Sequence, residues 1–141
     1  MNAQFTQSVT QPSEIHGRVL RIHGAVLFFV ASVSVANDLY SHFTGLGIYG
    51  FLRDNPMVSV GLLQAYLLMA VIAGVLLSIA AKAPSPKWHI VAALAHMAPL
   101  TVILLFWNVL RSQGFLPIAI GSLTFHSLWI CIELLFVFRK G

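Results

Sequence analysis

His96 and His126 both fall inside long apolar runs, His96 eight residues in from Trp88 and His126 twelve residues back from Phe138. At about 1.5 Å of rise per residue these are depths of about 12 and about 18 Å, close to one helical turn of each other. Two imidazoles on different helices at matched depth meet the axial requirement of a b-type haem, and His96 and His126 are the cofactor-binding expectation. No haem-attachment motif surrounds either residue, and an imidazole can equally bond to a neighbouring helix.

His126 and Glu133 stand seven apart, as do His89 and His96, so each pair shares one helix face. A carboxylate in an apolar helix needs a partner, which His23, His89 or Arg21 can supply. Glu133 and His23 are accordingly the catalytic candidates, able to trade protons as general acid and base or as a relay. The same spacing of His89, His96, His126 and Glu133 suits a metal, although a closed shell of three or four ligands cannot be drawn from the sequence without assuming a fold. A third polar group gathers where the runs end: Asn37, Asp38, His42, Arg53, Asp54, Asn108 and Arg111. There Asp38 and His42, one turn apart, can pair or stand as separately solvated charges.

The elements that carry these residues follow from composition. The chain has 141 residues, 58% hydrophobic and 9% charged, with a mean hydropathy of +0.86. Soluble chains average about a quarter charged residues, so this is the composition of a membrane protein. Apolar runs cover residues 19–40, 57–81, 88–110 and 115–138. Each is near the ~20 residues a helix needs to cross a bilayer, and in lipid such runs satisfy their backbone groups only as helices. The fold expectation is all-α, an integral membrane four-helix bundle formed by residues 15–141 as one domain, after a disordered polar tail at residues 1–14. Lys and Arg flank the runs asymmetrically: Arg18, Arg21, Lys82, Lys87, Arg139 and Lys140 fall on one side, Arg53 and Arg111 on the other. By the positive-inside rule both termini are expected in the cytoplasm of a multi-pass protein of the cell membrane.

Two features bear on packing. Ala70, Gly74 and Ser78 recur at every fourth position and predict a close helix crossing, within the chain or by self-association. Pro99 predicts a bend in the third helix beside His96. The lone Cys131 rules out an intramolecular disulfide.

Phosphate-loop, dinucleotide, zincin and nucleophile-elbow motifs are all missing, which removes the usual grounds for calling the chain an enzyme. Basic residues form no patch for nucleic acid. The sequence therefore favours an accessory or assembly subunit of a larger membrane complex, with the lipid bilayer and other membrane subunits as partners. The alternatives are a haem- or ligand-binding redox bundle using His96 and His126, and a small membrane enzyme or transporter with a His/Glu proton-handling site.

Overall fold

The computed structural model describes residues 12–139, with side chains from Glu14 onward. Among these it is wholly helical: α1 (Pro12–Thr44), α2 (Pro56–Val75), α3 (Pro86–Leu105), α4 (Trp107–Ser112) and α5 (Leu116–Phe138). A 3₁₀ turn, Gly50–Arg53, follows α1, and a π-helical turn, Leu76–Ala80, extends α2. Pro56 and Pro86 open α2 and α3, and Pro117 lies in the first turn of α5, where a missing backbone N–H costs nothing. Four helices are long and apolar enough to cross a membrane: Glu14–Thr44, Pro56–Ala80, Pro86–Leu105 and Leu116–Phe138.

The boundaries differ from the sequence expectation in three places. Helix α1 begins at Pro12, so residues 12–14 are helical; the rest of the expected tail lies outside the described residues. The third run does not continue to Leu110. Phe106 leaves the helical conformation at φ −103°, ψ 20°, and α4 carries exposed Asn108, Arg111 and Ser112, which have no place in an apolar span. In the second run Ala81 N–H donates to Leu76 O at 3.1 Å, widening the last turn. Pro99 lies within α3, which runs helical through it.

Helix α1 packs chiefly on α2, and α3 on α5, giving two hairpins. Gly17 and Gly24 of α1 allow the first to close: a Cβ on Gly17 would stand 2.9 Å from Ala81 O, and one on Gly24 2.9 Å from Leu77 Cγ and 3.0 Å from Ala73 O. The expected stripe of α2 does not serve this crossing. Gly74 has open space where a Cβ would go, and Ser78 is exposed and bonds back to Gly74 O. Ala73, Leu76 and Ala80 face the core instead, with Leu20 and Ala92 across from them.

Polarity is inverted relative to a water-soluble bundle. Its interior holds His16, His23, Asp38, Ser41, Ser59, His89, His96, His126 and Glu133, while Phe29, Leu68, Val71, Leu94, Leu105 and Leu135 are each more than 60% exposed. Apolar surroundings favour this arrangement, because ionisable groups then turn inward to find each other.

Candidate functional site

Each of three helices carries a pair of ionisable residues seven positions apart: His16 and His23 on α1, His89 and His96 on α3, His126 and Glu133 on α5. Seven residues is about two turns, so each pair projects from one face at two levels about 10 Å apart. All six side chains are buried. They meet where the α1–α2 hairpin faces the α3–α5 hairpin.

At the level nearer the start of α1, His16 Nδ1 lies 3.0 Å from His89 Nε2, and His89 Nδ1 reaches Glu133 Oε2. The other oxygen, Glu133 Oε1, meets His23 Nδ1. His23 Nε2 lies 2.7 Å from His96 Nε2, and His96 Nδ1 lies 2.7 Å from His126 Nδ1. The result is an unbroken chain in the order His16, His89, Glu133, His23, His96, His126.

Proton counting fixes how this chain is polarised when Glu133 is ionised and the imidazoles neutral. Five imidazoles bring one N–H each, and the chain has five contacts, each of which needs one. His23 Nδ1–H and His89 Nδ1–H must donate to the carboxylate, since it can only accept. His96 Nε2–H then donates to His23 Nε2, His126 Nδ1–H to His96 Nδ1, and His16 Nδ1–H to His89 Nε2. Both arms point at Glu133, and the bare nitrogens are the outermost, Nε2 of His16 and of His126. Every inner polar atom is satisfied, the condition under which a buried polar network is rigid and specific. One further proton at either end gives the chain an imidazolium to balance its carboxylate.

Aromatic rings of α5 wall the chain. Trp129 lies flat on His23, ring centroids 3.9 Å apart and planes within 8°. Phe136 stacks on His89 at 5.4 Å and meets His16 edge-on, and Phe125 is edge-on to His96. These faces exclude water and accept a cationic imidazole favourably.

The structure thus brings together His23, His89, His96, His126 and Glu133. His96 and His126 touch directly, so an iron bound between them would require their 2.7 Å contact to open. Among the described residues no three or more His, Cys, Asp or Glu side chains are arranged to hold a metal ion; those of the chain meet in pairs. Arg21 does not reach Glu133: it is exposed and bonds to Gly17 O. Asp38 and His42 do not pair, because Asp38 takes Ser59 and His42 turns to Leu52 O.

His16 and Trp129 escaped the sequence reading. A first span set at Val19 leaves His16 outside, although a signal was present: Ile15-His16-Gly17 recurs seven residues on as Ile22-His23-Gly24. A longer repeat lies behind it. His16 and His89 are 73 positions apart, as are His23 and His96, and each residue touches its counterpart. Helices α1 and α3 therefore run parallel in register. Helix α5 adds His126 and Glu133, whereas α2 carries no His, Asp or Glu.

Fold and site together define an all-helical bundle of two hairpins enclosing a chain of imidazoles around one carboxylate. The amino-acid chain matches no protein-family model, no curated protein and no solved structure.

Proposed function

We propose that this is a small multi-pass membrane protein that handles protons, with the histidine and glutamate chain taking up a proton within the bilayer and moving it between the end of the bundle where α1 begins and the level of His126. The observation that carries this reading is the continuity of the chain: six ionisable side chains from three helices, each in contact with the next. Imidazole suits the task because it accepts on one nitrogen while donating from the other. Glu133 supplies the fixed negative charge that lets an imidazolium exist in an apolar interior.

A purely structural role as an accessory subunit explains less. Helices in lipid are joined adequately by small residues and single polar contacts, and the glycines of α1 already close one hairpin. Burying six ionisable groups in one chain is costly, and within membrane spans such groups mark proton relays and substrate pathways.

The convergence of both arms on Glu133 has a mechanistic consequence. A proton entering at His126 Nε2 can be relayed inward, each ring passing on its other proton, until Glu133 or an adjacent imidazole holds it. Exit through His16 then requires His89 and His16 to exchange tautomers, so the chain accepts and holds a proton before it conducts one. The test is proton flux into liposomes containing the purified protein, driven by a potassium diffusion potential and followed with an entrapped pH dye. Wild type is expected to acidify or alkalinise the lumen according to the sign of the potential, and Glu133→Gln to reduce the rate at least about tenfold, the effect of about 1.4 kcal/mol. Equal rates for the two proteins, or none for wild type above empty liposomes, would remove the reading.

A further inference from the structure

The far end of α1 carries a second buried carboxylate. Asp38 is fifteen residues beyond His23, about 22 Å along the helix, so it belongs to a different part of the bundle. Its side chain is fully buried, and Oδ1 accepts a hydrogen bond from Ser59 Oγ of α2 at 2.7 Å. Oδ2 has no hydrogen-bond partner among the described residues, and neither has Ser41 Oγ, one turn along the same face and also fully buried.

Among the described residues no side-chain cation pairs with this carboxylate, and the only ion pairs are those of Glu133 with His23 and His89. Two basic groups at this end of α1 are used elsewhere: His42 Nδ1 contacts Leu52 O, and the Arg53 guanidinium bonds to Thr44 O. From these observations we propose that Asp38, Ser41 and Ser59 form a binding site for a monovalent alkali cation.

The donor set selects that class of ligand. Carboxylate and hydroxyl oxygens are hard ligands, suited to alkali and alkaline-earth ions rather than to soft metals. One carboxylate balances one positive charge, whereas a divalent ion would leave an uncompensated charge in a buried place. The site occupies the last two turns of α1, whose carbonyl end carries the negative pole of the helix dipole. Gly47, at φ +83°, lays the following loop directly over it: a Cβ there would stand 3.3 Å from Ser41 Oγ and 3.9 Å from Asn37 Oδ1. The proposal is independent of the histidine chain and stands or falls without it.

Thermal unfolding of the full chain in detergent, with sodium chloride replaced by N-methylglucamine chloride or potassium chloride at constant ionic strength, tests the assignment. Sodium or potassium at about one hundred times its dissociation constant is expected to raise the melting temperature by about 4 °C or more over the organic cation. Asp38→Asn and Ser41→Ala should each lose the shift while retaining the helical circular dichroism of wild type. If Asp38→Asn does not fold, Ser41→Ala, which keeps the carboxylate, decides the matter alone. A wild type indifferent to both alkali ions, or an alkali-ion shift undiminished in Ser41→Ala, would each overturn the site.

Discussion

Trp129 and His23 lie face to face, their centroids 3.9 Å apart, joining α5 to the histidine chain at the ring that also contacts Glu133. This stack makes the indole an optical reporter. In a variant whose other tryptophans, Trp88 and Trp107, are replaced by Phe, fluorescence is expected to fall as protonation places positive charge on the ring beneath the indole. His23→Gln should abolish that response. A pH-independent emission in the parent would mean that no charge reaches His23.

Glu133 accepts from two imidazoles that have no other partner for Nδ1. Glu133→Ala leaves both donors buried and unsatisfied, and is expected to cost about 3 kcal/mol, at about 1–3 kcal/mol for each orphaned group. Glu133→Gln should cost less, about 1–2 kcal/mol, because its amide oxygen still accepts from one imidazole while its NH₂ group forces the other to change tautomer. Reversible unfolding in mixed detergent measures both, and a Gln variant no more stable than the Ala variant would argue against the assigned donors.

The close approach of α1 to α2 gives a contrast within one hairpin. Gly24→Ala would push a methyl group into Leu77 and Ala73 O, with an expected cost of about 1–3 kcal/mol. Gly74→Ala meets nothing, and in a helix interior should be neutral or stabilising by about 0.5–1 kcal/mol. Should Gly74→Ala instead break an oligomer seen by crosslinking, the stripe Ala70, Gly74, Ser78 would be an interface between copies.

What the sequence disclosed and what it withheld follow from the same physics. Four helices were legible because lipid-length apolar runs are long and their breakers, Pro56, Pro86 and Gly114, stand between them. Facing of His96 toward His126 was legible because rise per residue converts position to depth. His16 was not, since hydropathy averages blur the end of a helix, and α1 continues seven residues before Val19. The crossing of α1 on α2 was assigned to the wrong residues for a related reason. A stripe of small side chains on one helix says that close approach is possible, but its partner decides which stripe is used, and here Gly24 of α1 meets Ala73, Leu76 and Leu77. Pairing of Asp38 with Ser59 rather than His42 depends on a contact 21 residues away, which local spacing cannot register.

Cys131 checks the membrane setting. It is exposed on α5, on the outer side of the helix that carries Glu133 inward two positions later. In liposomes a membrane-impermeant, charged maleimide is expected to leave it largely unlabelled, while an uncharged, lipid-soluble maleimide labels it, and unfolding in denaturing detergent should make both reagents equal. Rapid labelling by the charged reagent in intact liposomes would place this face in water.

The two ends of the chain offer the strictest test of its continuity. His16 and His126 share no contact: four residues, His89, Glu133, His23 and His96, stand between them. Substitutions at residues that do not touch normally add to within about 0.3–0.5 kcal/mol. Here the carboxylate sets the tautomers of both arms and each hydrogen bond polarises the next, so removing one end weakens that arm's donation to Glu133 and leaves more of the carboxylate's charge to the other arm. A double-mutant cycle of His16→Ala and His126→Ala is expected to show a coupling of about 0.5–1 kcal/mol, above that additivity limit. The same cycle repeated in a Glu133→Gln background should fall to additivity, because the amide no longer accepts from both arms. Additive effects in the wild-type background would mean that the six side chains are separate pairs rather than one chain.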